Sequence, residues 1–189
     1  NLLPQELRHA RYNGWFINFV EDEADADFWW DFKISTRGRD KRMKNVQFVS
    51  ELLMIILENK IVGFDHDHID EIYAKYDDID EMQESGEFKL EEFTSKLREI
   101  KHFLSEMENH NQTISMYAAG SNNNFYTLWA LIHLNNPLNA IEFANSYEIF
   151  MGKVFNIKTM QENGENIEEN ILIYSNNSKG AVTDLPQRN

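Results

Sequence analysis

Apolar residues recur along most of this chain at steps of three and four, the spacing that lines one face of an α-helix. The cleanest case is Leu90, Phe93, Leu97, Ile100, Leu104 and Met107, with Glu, Lys and Ser filling the positions between. From about residue 41 to 59, Met43, Val46, Val49, Leu53 and Ile56 keep the same period, and Phe48, Leu52, Ile55 and Leu57 widen the stripe. A helix that apolar must be covered on most sides, so it predicts a central core helix. Residues 125–134 (Phe-Tyr-Thr-Leu-Trp-Ala-Leu-Ile-His-Leu) are apolar on every face and predict a second buried helix.

Shorter signals fill the rest. Pro4 stands where a first helical turn tolerates a missing N–H, and Asn13-Gly14 breaks the helix that follows. Trp15, Phe16, Phe19 and Val20 repeat at helical spacing, before an acidic stretch (21–27) and the aromatic knot Phe28-Trp29-Trp30. Residues 34–40 look like a loop, as does the polar stretch 109–124 around Gly120. Ile69, Ile72, Tyr73 and Tyr76 mark a short amphipathic helix. After Asn135-Asn136-Pro137, a further helix presents Ile141, Ala144, Tyr147, Phe150, Met151, Val154 and Phe155 on one side. Ile167–Tyr174 predicts one more short helix. The expected architecture is all-α, an irregular multi-helix bundle with two buried central helices at about 41–59 and 125–134. The bundle domain spans 35–175, and 176–189 form a disordered or extended tail.

Composition narrows the function. Hydrophobic residues make up 42% and aromatics 13%, enough for a real core. Eight Gly and three Pro are few for a protein of many strands and tight turns. With no cysteine, disulfides, zinc–thiolate sites and thiol nucleophiles are excluded. The longest strictly apolar run is the six residues Leu52–Leu57, far short of the roughly 20 that cross a bilayer. No secretory pattern opens the chain, so a cytoplasmic location is expected, and a start at Asn1 rather than Met suggests a piece of something longer.

The formal net charge is −14, which opposes nucleic-acid binding over the whole surface. The charge is uneven, however. Residues 65–110 carry 15 acidic and 5 basic side chains, whereas residues 37–44 carry Arg37, Arg39, Lys41, Arg42 and Lys44 against Asp40 alone. Those five cations precede a helix and are candidates for phosphate contact, helped by the helix N-terminus. The competing reading is a solvated loop balancing the acidic residues of 21–31.

Catalytic signals are weak. In Asp65-His66-Asp67-His68-Ile69-Asp70-Glu71, i and i+2 ligands cannot share a helix face, and the string lacks both His-Glu-x-x-His and the calcium-loop glycine. Capping of a helix N-terminus by Asp65 or Asp67 explains it better than a metal. His133-Leu-Asn-Asn-Pro137 resembles half of an HNH nuclease site without its further ligands, so His133 is expected to be a hydrogen-bonded, partly buried residue. No phosphate-cradling glycine loop and no Gly-x-Ser-x-Gly elbow is present, and no catalytic residue, metal or cofactor is expected.

Leu3-Pro4-Gln5-Glu6-Leu7-Arg8-His9-Ala10, followed by Gly14 and an aromatic pair, resembles a helix that closes the ParB/sulfiredoxin-like N-terminal domain of a large bacterial family of unknown-function proteins. The chain has Pro4 and His9 where that family usually has Asn. Arg42-Met43 leading into Val49 and Leu53 is similar to the family's next landmark, and the likeness covers roughly residues 1–60. The family includes GmrSD-type modification-dependent restriction enzymes and phosphorothioate-sensing defence proteins. The resemblance implies that residues 1–34 are the helical tail of a preceding ParB-like domain, or else the first helices of the bundle. It implies an accessory C-terminal helical domain of a DNA-targeting anti-phage protein, the parent being a nucleotide-dependent nuclease. Its implied partners are the preceding domain and DNA. A protein-interaction or dimerisation module, built on the Leu90–Met107 stripe, is the alternative.

Overall fold

The computed structural model describes residues 2–63 and 65–178, and among them there are thirteen helices and no strand. In chain order these are α1 (Pro4–Arg11), α2 (Trp15–Ala24), α3 (Asp27–Asp31), α4 (Arg37–Asp40), α5 (Lys44–Glu58), α6 (His66–Lys75), α7 (Asp80–Ser85), α8 (Leu90–Asn111), α9 (Thr113–Tyr117), α10 (Asn122–Asn135), α11 (Ala140–Phe155), α12 (Ile157–Glu162) and α13 (Glu169–Asn177). The all-α bundle expected from periodicity is the architecture found.

The widened stripe of α5 makes it the hub. Val49, Leu52, Leu53, Met54 and Ile55 are without solvent exposure, and α1, α2, α4, α8 and α10 all pack on this helix. On one side α10 lies close enough for the indole N–H of Trp129 to donate to the Leu52 carbonyl at 2.9 Å. Trp29, Trp129 and Phe125 form an aromatic knot there, with the two indoles 5.4 Å apart. Such offset pairs add about 0.5–1.5 kcal/mol each beyond the area they bury. On the other side α2 brings Trp15, Phe16 and Phe19 against Tyr73, Tyr76, Phe88 and Phe93. Residues of α2 and α3 therefore share one hydrophobic core with the rest.

The stripe of α8 is also turned inward. Phe93, Leu97, Ile100, Leu104 and Met107 are buried, and α8 packs chiefly on α11, with α9 and α5 beside it. Helix ends follow local chemistry: Asn59 and Asn136 stop α5 and α10 in the left-handed conformation that asparagine tolerates well, and Asn139 caps α11 by accepting two backbone N–H groups.

Several local expectations need correction. Residues 37–40 are a helical turn rather than loop, because Thr36 accepts the Arg39 N–H as a cap. The central helix begins at Lys44 instead of 41, since Met43 takes a left-handed conformation (φ 52°) and breaks the run. The polar stretch 109–124 is mostly helical: α8 runs on to Asn111 and α9 fills 113–117. The acidic stretch belongs largely to α2. In α10, Leu131 and Leu134 are exposed, and in α11 so are Ile141 and Phe155. Of the expected tail, residues 176 and 177 belong to α13, and 179–189 lie outside the described residues. No helix among the described residues is long and apolar enough to cross a membrane.

Candidate functional site

The basic segment is held as a compact corner on α5. The Asn45 side chain, itself buried, donates to the Thr36 carbonyl and accepts the Thr36 N–H, both at 3.2 Å. The Met43 N–H closes the turn on the Asp40 carbonyl at 2.9 Å. The segment is tied down near both ends, and its five cations divide by what their side chains meet.

Two of them are used internally. Arg39 is half-buried: its guanidinium lies 5.7 Å from the Phe48 ring centre and donates to Asn122 Oδ1 at 2.7 Å. Burial lowers its pKa, and the buried Glu51 carboxylate works against that by favouring the cation. Arg42 forks onto Glu6 of α1, Nε to Oε1 at 2.7 Å and Nη2 to Oε2 at 3.0 Å. The guanidinium holds the Glu6 carboxyl below its ordinary range, with the Leu3 N–H assisting. Arg37, Lys41 and Lys44 are exposed and make no ion pair with any described residue. Among the described residues, no ion pair joins the segment to the acidic residues of 21–31, of which Glu21 pairs with His9 and Glu23 with Lys101. Arg42 pairs with Glu6, and the Glu51 carboxylate acts on Arg39.

A second polar assembly went unpredicted. Gln5 is 0% exposed and Arg8 3% exposed, while Leu7 on the same helix is 53% exposed, so α1 buries its polar side. Arg8 donates to Asp70 at 2.6 Å and lies over the Tyr73 ring, and Gln5 donates to the Tyr73 hydroxyl at 3.0 Å. Burial pushes the Tyr73 hydroxyl up to about 12, keeping it a neutral partner. Gln5 Oε1 and Arg8 Nη1 are buried without a hydrogen-bond partner among the described residues. The only sequence signal for this seam was the family-like Gln-Glu-Leu-Arg string.

The remaining candidates disperse. Asp65 caps α6 by accepting the Asp67 N–H at 3.0 Å, the capping role expected of it. His66 turns to Arg8, while His68 turns to Glu71. Among the described residues no three His, Asp or Glu side chains form a metal-holding group. His133 is buried, but neither ring nitrogen finds a partner among the described residues, contrary to the hydrogen-bonded role expected. Desolvation, with Lys96 assisting, lowers its pKa. Comparison with protein-family models, curated proteins and solved structures finds no match to this chain.

Proposed function

We propose that this chain is an accessory helical domain of a DNA-targeting, restriction-like defence protein, and that it touches the DNA backbone through Arg37, Lys41 and Lys44. The observation that carries the reading is the exposed set of three cations on a compact corner of a chain whose net charge is −14. Arg39 and Arg42 belong to the same corner but serve to hold it. The resemblance supplies the context, and its two landmarks meet in space through Glu6 and Arg42. The exposed Leu2, just before α1, and Leu7, on it, support packing of this helix against a preceding domain. Each neutralised phosphate contributes about −0.9 to the dependence of log affinity on log salt, so three contacts give a slope of about −2.7 on duplex DNA. No binding at low salt, or binding without salt dependence, contradicts the reading.

A protein-interaction role keeps some support, although not from the α8 stripe, which the chain itself covers. It rests on Leu131, Leu134, Leu138 and Ile141, exposed at the end of α10 and the start of α11. Sedimentation at high concentration tests it: concentration-dependent self-association that Leu138→Glu abolishes supports the role, and a monomer throughout argues against self-association.

A further inference from the structure

We propose that Glu6 is a built-in competitor for phosphate at Arg42, so that DNA meets the basic segment with one arginine already occupied. The inference rests on reading that segment as a DNA contact. A guanidinium fork takes a carboxylate and a phosphate in the same two-bonded geometry, so the Glu6 oxygens occupy the positions that two phosphate oxygens would take.

The two partners are unequally held. Glu6 is anchored: its Oε2 accepts the Leu3 N–H at 2.5 Å, and on the same helix Gln5 and Arg8 are tied to Tyr73 and Asp70. Its side chain is 18% exposed, whereas that of Arg42 is 47% exposed. Arg42 stands beside Lys41, one residue before the left-handed break at Met43 and two before Lys44. Once the Glu6 carboxylate is removed, the more exposed arginine can therefore turn outward to a phosphate. In the unaltered chain the fork stays on Glu6 and one phosphate contact is forgone, so the competition lowers DNA affinity without preventing binding through Arg37, Lys41 and Lys44. The anchoring of Glu6 by α1 couples this loss to the position of that helix.

Anisotropy titrations of a fluorescent DNA duplex with the 189-residue chain test the proposal, with melting curves confirming that each variant is folded. Glu6→Gln should bind about threefold more tightly, the size of an exposed ion pair, and its salt slope should steepen by about 0.9. Arg42→Gln alone should keep the wild-type slope, and in the Glu6→Gln background it should cancel the gain. A Glu6→Gln variant with wild-type affinity and slope overturns the competition. So does an Arg42→Gln variant whose slope falls by about 0.9, because Arg42 would then already be on phosphate. In either case, loss of binding on reversing Arg37, Lys41 and Lys44 leaves the DNA reading standing. If no variant binds DNA, both proposals fall.

Discussion

A Cβ on residue 14 would lie 1.9 Å from the carbonyl oxygen of Asp77, so Gly14 is the point at which α2 rests on the end of α6. The Gly14 N–H donates to Asp77 Oδ1 at 2.8 Å, the Trp15 N–H to the Asp77 carbonyl at 2.7 Å, and the Phe16 N–H to the Tyr76 carbonyl at 3.2 Å. The unsatisfied donors at the start of one helix thus meet the unsatisfied acceptors at the end of another. The backbone of Gly14 is extended, with φ −87°, so space rather than conformational freedom demands glycine.

Gly14→Ala should therefore force α2 off α6, losing these bonds and the aromatic packing behind them. A loss of about 2–3 kcal/mol is expected from overpacking against fixed backbone. Urea unfolding followed by helical circular dichroism measures it. An alanine variant as stable as the parent would show that the two helices part without cost.

The Arg8–Asp70 pair makes an asymmetric prediction. Arg8 is almost fully buried and Asp70 is partly exposed. Asp70→Asn leaves a guanidinium in the interior without its counter-charge, and about 3 kcal/mol should be lost. Arg8→Met leaves only a carboxylate that water can reach, so it should cost clearly less. Equal losses from the two changes in urea unfolding would mean that burial of the arginine is not what matters.

What the sequence disclosed follows from how each element is held. The helices α5 and α8 were legible because one covered face leaves a regular period, whatever covers it. The short turn α4 was not, because four residues carry no period and its cap depends on Thr36, which Asn45 clamps from α5. Helix α1 was found by Pro4, but its inward face could not be read: Gln5 and Arg8 are buried by partners at Tyr73 and Asp70, 68 and 62 positions away. Likewise the basic run was visible as charge, whereas its division into held and outward cations required Glu6, Phe48 and Asn122 to be in place.

His133 should make the protein acid-sensitive. Its folded-state pKa lies below the ordinary 6.5 because burial penalises the cation. As pH falls through about 6.5 the unfolded chain gains a proton that the folded chain does not, so stability declines from there down to the folded-state value. His133→Leu should remove that decline and, by sparing two unpartnered ring nitrogens, raise stability at neutral pH by about 1 kcal/mol. Urea midpoints between pH 5 and 8 decide the matter, and an unaltered pH profile in the leucine variant would rule out the histidine as its source.

The division of the cations is the claim on which the functional account turns. Its most direct test is DNA affinity and urea stability measured together for two variants. Reversal of the outward set, Arg37→Glu with Lys41→Glu and Lys44→Glu, should abolish salt-dependent duplex binding while stability stays within about 0.5 kcal/mol of the parent. Neutralising the held pair, Arg39→Gln with Arg42→Gln, should lower stability and leave the salt slope as it was. Undiminished DNA binding in the first variant, or a shallower slope in the second, would contradict the account.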